Sequence, residues 1–230
     1  MGWTQSRCSK HSHRVFLQEK NYSCVIACML MALDRKGKLS TAGATFRRLT
    51  KKKIVTRPIT AKEMRQASQQ FGGPGYYRPG AVEVGAQVGS PQQDALANIL
   101  VRQIGSSGYG TYFQNAAHTL KRLGFSADHF TGVTWSRILS FVGWSSYAVI
   151  GSVNWRGGGR HAVFLEKLAY KTKTTRQGLQ FKRTRIPASI CVCDPGYGAR
   201  RVLLPENGAK PTYRPATGAA AQFTGEVIVI

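Results

Sequence analysis

The sequence predicts a mixed α+β fold, and three observations carry that expectation. Helical patterns come first, led by residues 24–33, which are apolar nearly all round. From residue 147 onward, short runs rich in β-branched and aromatic residues alternate with turn residues. The chain has 230 residues, 42% of them hydrophobic, enough for one sizeable core. Helices followed by strands indicate α+β rather than alternating α/β.

Residues 1–14 are polar and read as a flexible N-terminal segment, with His11 and His13 in it. Val15-Phe16-Leu17 is an extended entry. Ser23 then stands at an N-cap position before residues 24–33, and Gly37 ends that helix. A helix apolar on every side belongs inside a core. Residues 36–58 are basic and loosely patterned. Thr60-Ala61-Lys62-Glu63 is a capping-box pattern that starts a helix over 61–70. The Gly- and Pro-rich stretch 71–90 reads as loop. Apolar residues spaced three and four apart predict helices over 91–104, 111–123 and 134–142. Strands are expected over 147–153, 161–168, 178–185, 189–193, 201–204 and 223–230. Residues 15–230 thus read as a single domain.

Lys and Arg total 33 against 10 Asp and Glu, a formal charge of +23. A field of that sign attracts acidic proteins, nucleic acid or anionic membranes. The cations are spread out, densest at Arg47-Arg48 with Lys51–Lys53, over 167–185, and at Arg200-Arg201. Nucleic-acid-binding motifs with a defined spacing are absent. No apolar run reaches the length of a membrane-spanning helix, and the N-terminal residues lack an apolar signal core. A cytoplasmic protein is therefore expected, or one secreted or injected without a Sec signal. Five cysteines, an odd number, suit a reducing compartment better than a disulfide scaffold.

Four residues form a thiol nucleophile set. Cys24 opens the apolar helix, where first-turn N–H groups and their partial positive charge favour a thiolate. His161 opens an apolar strand pattern and can act as general base and acid. Asp194 closes another and can orient the imidazole. Gln18, six residues before Cys24, can donate its side-chain amide to a developing oxyanion beside the Cys24 backbone N–H. Taken singly, each has an ordinary alternative: a buried thiol, a structural His, an Asp-Pro turn. In this order and context the combination is much more specific than its parts. Trp155 can cover the His–Asp pair, and Gly159 lets the chain turn tightly at the cleft rim, so both are candidate substrate-side residues. Cys191 and Cys193 lie on one strand face, but their spacing fits no standard zinc module, and they read as core thiols beside the site. No metal or cofactor is expected.

The Gln18–Cys24 spacing, His161-Ala162-Val163 and Asp194-Pro195-Gly196 resemble the papain-like cysteine peptidases. They are similar in particular to bacteriocin leader-peptidase domains and to papain-like effector proteases of pathogenic bacteria. The resemblance covers roughly residues 15–40 and 145–205. It implies an N-terminal helical lobe carrying the nucleophile helix, packed against a C-terminal antiparallel sheet. It also implies roles: Cys24 nucleophile, His161 base and acid, Asp194 orienter, Gln18 oxyanion donor. Ser23-Cys24-Val25 departs from the flanking residues usual in those groups, so the substrate-side wall differs. Residues 41–144 match nothing in them and read as an inserted or divergent region.

The function expected is a cysteine peptidase acting on a protein or peptide, a bacterial effector or toxin in type. Its target would be acidic or nucleic-acid-associated, with secretion machinery or a chaperone as a further partner. Two alternatives remain at this stage. One is transglutaminase, amidase or acyltransferase chemistry through the same thioester. The other is a non-catalytic basic adaptor or nucleic-acid binder.

Overall fold

The computed structural model describes residues 2–18, 23–72, 111–156, 159–177, 180–215 and 220–230. Among these, five helices and nine strands form an α+β structure in which every strand pair is antiparallel. The helix expected over 91–104 and most of the Gly-rich loop lie outside the described residues.

The chain opens with a hairpin, β1 (Trp3–Cys8) and β2 (His11–Phe16), paired from Trp3↔Phe16 to Cys8↔His11. This corrects the expectation of a flexible segment through residue 14. Ser9, at φ +58°, makes the tight turn. The inward residues Cys8, His13 and Val15 are buried. Two of the three are Cys and His, which an apolar pattern does not count.

Helix α1 (Cys24–Arg35) is buried at every residue from Cys24 to Leu33, as its all-round apolar sequence requires. Gly37, at φ +65°, follows its end. Helix α2 (Leu39–Leu49) falls in the stretch read as loosely patterned. Its apolar stripe is thin (Leu39, Ala42 and Phe46), and Gly43 sits within it. A Cβ at Gly43 would come 2.6 Å from the Arg57 carbonyl oxygen, so the missing side chain lets residues 57–59 pack on the helix. Helix α3 (Ala61–Phe71) begins with the expected capping box: Thr60 accepts from the Glu63 N–H, and Glu63 accepts from the Thr60 N–H. Helix α4 (Phe113–Arg122) precedes Gly124 at φ +90°, and α5 is Trp135–Gly143.

A seven-stranded sheet follows. Its strands are β3 (Asp128–Phe130), β4 (Val149–Trp155), β5 (Arg160–Gln177), β6 (Gln180–Asp194), β7 (Gly198–Leu203), β8 (Thr212–Tyr213) and β9 (Ala221–Val229). The order is β3-β9-β4-β5-β6-β7, with β8 on β9. β5 and β6 are longer than their apolar cores suggest. Beyond Ala169 they continue as a projecting ribbon, paired from Tyr170↔Pro187 to Gln177↔Gln180. Neither face of that ribbon is apolar, so alternation gives no signal there.

Alternate strand residues divide between two cores. Ala162, Phe164, Cys191 and Cys193 join α1 to α4 and the hairpin. Val163, Leu165, Ile190 and Val192 pack with Trp135, Tyr213 and Phe223. The sheet thus holds α1 against one face and α5 near the other. No helix among the described residues is long and apolar enough to cross a membrane.

Candidate active site

The end of the β5–β6 pair brings His161 and Asp194 together. Phe164↔Cys193 is the outermost pair in register on that side, so His161 near the start of β5 and Asp194 at the end of β6 meet at one sheet edge. His161 is two residues from Val163 and Asp194 two from Val192, so both share the Tyr213 side of the sheet. The His161 Nε2–H donates to Asp194 Oδ1 at 2.9 Å, with His161 8% and Asp194 0% exposed.

Asp194 is held by more than His161. Its Oδ1 also accepts from the backbone N–H groups of Gly196 (2.6 Å) and Tyr197 (3.2 Å), which closes an Asx-type turn into β7. Its Oδ2 accepts from the Tyr213 hydroxyl at 2.5 Å. The ordinary reading of Asp-Pro as a turn and the reading of Asp194 as an orienter are thus both satisfied by one carboxylate. Burial and the neighbouring Asp194 charge push the Tyr213 hydroxyl far above its ordinary range, so Tyr213 acts as a donor only.

Cys24 starts α1 and is buried, and it lies close enough to the His161 ring to raise the imidazole's pKa. With Nε2 committed to Asp194, Nδ1 is the nitrogen left for the thiol. Burial alone would disfavour an imidazolium. The hydrogen bonds to Asp194 and Cys24, with the charges of both, outweigh it and raise His161 to about 10. The imidazolium form is therefore favoured at neutral pH. Ser23 occupies the N-cap position, yet its side chain makes no cap hydrogen bond, and Oγ is buried without a partner among the described residues. The first helical turn carries no acidic residue.

Gln18 comes to the same place by its backbone. Its N–H donates to the Pro195 carbonyl at 2.9 Å, which ties the strand exit to the loop after Asp194. The Gln18 Nε2 lies 3.9 Å from where a Cβ on Gly196 would stand, and its Oε1 is buried without a partner among the described residues. Trp155 lies over His161, ring centroids 5.6 Å apart, and also meets Tyr197 at 6.3 Å and Tyr213 at 6.1 Å. Gly159, at φ +92°, lets the loop pass from β4 into β5 two residues before His161.

Sequence reasoning therefore named Gln18, Cys24, His161, Asp194, Trp155 and Gly159, and the structure gathers them. It missed Tyr213. That residue lies on a two-residue strand among polar neighbours, and the only available signal was a Tyr isolated between Pro211 and Pro215.

All five cysteines are free and buried. Burial pushes the Cys28 thiol well above its ordinary value, helped by the charges of Cys24, Asp194 and Cys193, so Cys28 is an inert core thiol beside the site. Two groups of side chains could hold a metal among the described residues: Cys8, His13 and Cys191, and His13, Glu166 and Cys193. Neither includes Cys24, His161 or Asp194.

No protein-family model matches the chain, and no curated protein matches it.

Proposed function

We propose that this protein is a papain-like cysteine peptidase. The observation that carries the reading is the buried His161–Asp194 pair, Nε2 to Oδ1 at 2.9 Å, with Cys24 at the start of α1 near enough to raise the imidazole's pKa. A buried histidine raised to about 10 supplies the imidazolium that such a peptidase uses as general acid. The α1 N-terminus behind Cys24 and the antiparallel sheet carrying His161 and Asp194 are what that family's layout requires.

The chemistry runs in two halves. The Cys24 thiolate attacks the carbonyl carbon of a peptide bond, and the carbonyl electron pair moves to oxygen. The Gln18 amide and the Cys24 N–H donate to that oxyanion. The oxyanion collapses, the C–N bond breaks, and His161 gives its proton to the departing amine. A thioester remains on Cys24. Neutral His161 then takes a proton from water, whose oxygen attacks the thioester. Collapse releases the acid, and the returned proton restores the pair. Asp194 keeps the ring oriented throughout.

The substrate is a protein with an acidic face that docks on the β5–β6 ribbon, at the end of those strands away from His161 and Asp194. The β5–β6 ribbon exposes Lys173, Lys182, Arg183 and Arg185, pairs Lys171 with Glu206, and carries no Asp or Glu over 170–186. Exposed Phe181 and Tyr170 give it apolar footing.

Limiting iodoacetamide at neutral pH, read by peptide mapping of the full-length protein, tests the assignment. Cys24 should alkylate well before Cys8, Cys28, Cys191 and Cys193, and His161→Ala should remove that preference. Cys24→Ala should also abolish hydrolysis of a peptide library while leaving the circular dichroism unchanged. Equal alkylation of all five thiols in the native protein would sink the reading.

A further inference from the structure

We propose that Cys8, His13, Cys191 and Cys193 form a closed structural site for a zinc-class divalent ion, which fastens the N-terminal hairpin to β6. The ligand atoms of Cys8, His13 and Cys191 all lie within 4.8 Å of one another. Sulfurs bound to one tetrahedral zinc at about 2.3 Å stand about 3.8 Å apart, so small rotamer adjustments close the set. Cys191 lies close to Cys8 and shares a face of β6 with Cys193. Cys193 also falls within 4.8 Å of the His13 ring, in a second grouping with Glu166. Cys193 is not within that distance of all three, so it completes the set as fourth ligand through a rotamer change on β6.

Their placement follows from the strands. Cys8 ends β1, His13 points inward from β2, and Cys191 and Cys193 share one face of β6 with Val192 between them. The linear spacing matches no compact zinc module because the ligands come from two separate sheets.

The independent observation is His13 itself. It is 8% exposed, and its Nε2 is buried with no hydrogen-bond partner among the described residues. A buried polar nitrogen without a partner calls for an explanation. Its other nitrogen, Nδ1, lies 3.8 Å from Glu166 Oε1. Nε2 toward a metal and Nδ1–H toward a carboxylate is the usual arrangement of a zinc-binding histidine and its supporting carboxylate. Arg35 lies 3.6 Å from the same Glu166 oxygen, and Arg201 acts electrostatically on Cys8. Three thiolates and a divalent ion leave one net negative charge, which those guanidinium groups complement. All four ligands are buried, which leaves no open coordination position and marks the site as structural.

The site would matter to the cleft through the chain. The hairpin leads directly to Gln18, and Cys193 immediately precedes Asp194. Among the described residues, the Ser6 Oγ to Ala199 N–H bond at 2.8 Å is the other polar tie between hairpin and β7.

Cobalt titration of the reduced, metal-free, full-length Cys24→Ala protein tests this without relying on activity. That background removes the reactive thiol as a competing ligand. Expected are sulfur-to-cobalt charge-transfer absorption and intense tetrahedral ligand-field bands that saturate at a single equivalent and vanish on adding zinc. Adding His13→Gln or Cys191→Ser should remove the charge-transfer bands, or weaken them with loss of saturation, while Cys28→Ser leaves them intact. Circular dichroism identifies variants that keep the native fold, and only those are compared. If no variant folds, the Cys24→Ala titration decides alone. Absence of the bands in Cys24→Ala overturns the proposal. So does their persistence in folded His13→Gln, and so does recovery of Cys8 and Cys191 as a disulfide with no cobalt spectrum after re-reduction.

Discussion

The Tyr213 hydroxyl donates to Asp194 Oδ2 at 2.5 Å, while the other carboxylate oxygen takes the His161 proton donor. The two bonds fix the carboxylate plane, and with it the imidazole. Tyr213→Phe keeps the ring and deletes the donor, leaving a buried acceptor unsatisfied. Such a loss costs about 1–3 kcal/mol. Because Tyr213 acts through Asp194, the expected effect is a kcat about tenfold lower with KM nearly constant. The alkaline limb of the pH profile should move as well. An unchanged kcat and profile would leave Tyr213 as core packing only.

The charge of Asp194 can be separated from its hydrogen bond. Burial lowers the affinity of His161 for its proton, and the Asp194 and Cys24 contacts reverse that and raise it to about 10. Above that pH the imidazolium is lost, so hydrolysis, which needs its proton, should fall as pH rises through about 10, while Cys24 alkylation, which needs only the thiolate, should not. Asp194→Asn keeps an acceptor for Nε2–H but removes the anion. Its alkaline limb should shift toward neutral pH. The stability contribution has the same sign. It is fully present below the ordinary histidine value of 6.5 and is lost as pH rises through about 10. Thermal melting of both proteins across that range checks it.

Gln18 is held by its main chain, since its N–H meets the Pro195 carbonyl at 2.9 Å. Gln18→Ala therefore preserves the anchor and deletes only the carboxamide. Loss of one oxyanion donor lowers kcat by about 100- to 1,000-fold. Alkylation by iodoacetamide develops no oxyanion, so its rate at Cys24 should be unchanged. Parallel measurement of the two rates distinguishes an oxyanion donor from a residue that shapes the thiol's surroundings.

The site was legible in the sequence where chemistry and periodicity coincide. Cys24, His161 and Asp194 each sit at the edge of an apolar run, and an edge is where a polar group can be both buried and reachable. Tyr213 lies in no run, so nothing in its neighbourhood distinguishes it. The hairpin was hidden for a related reason. Its inward positions are Cys8, His13 and Val15, and a histidine that points into a protein looks, in sequence, like one that points out. The α2 helix was hidden by Arg47, which reads as part of a basic surface patch yet is 2% exposed.

Arg47 is inside because Glu63 is. The carboxylate accepts from Arg47 Nε and Nη2 at 3.0 and 3.1 Å, from Arg57 at 3.0 Å, and from the Thr60 N–H at 3.0 Å. Burial raises the Glu63 pKa, but these donors outweigh it and bring the carboxyl down from 4.5 to about 2. A group depressed in this way contributes stability that is full above pH 4.5 and is lost as pH falls through about 2. The shift corresponds to about 3 kcal/mol. Glu63→Gln should therefore lose about that much in denaturant titrations at pH 7, with the gap to wild type narrowing steadily below pH 4.5. The pair joins α2 to α3, and both pack on α1. Loosening it should weaken the seat of the helix that carries Cys24 without touching Cys24, His161 or Asp194. Activity of Glu63→Gln at low temperature should thus stay near wild type and fail earlier on heating.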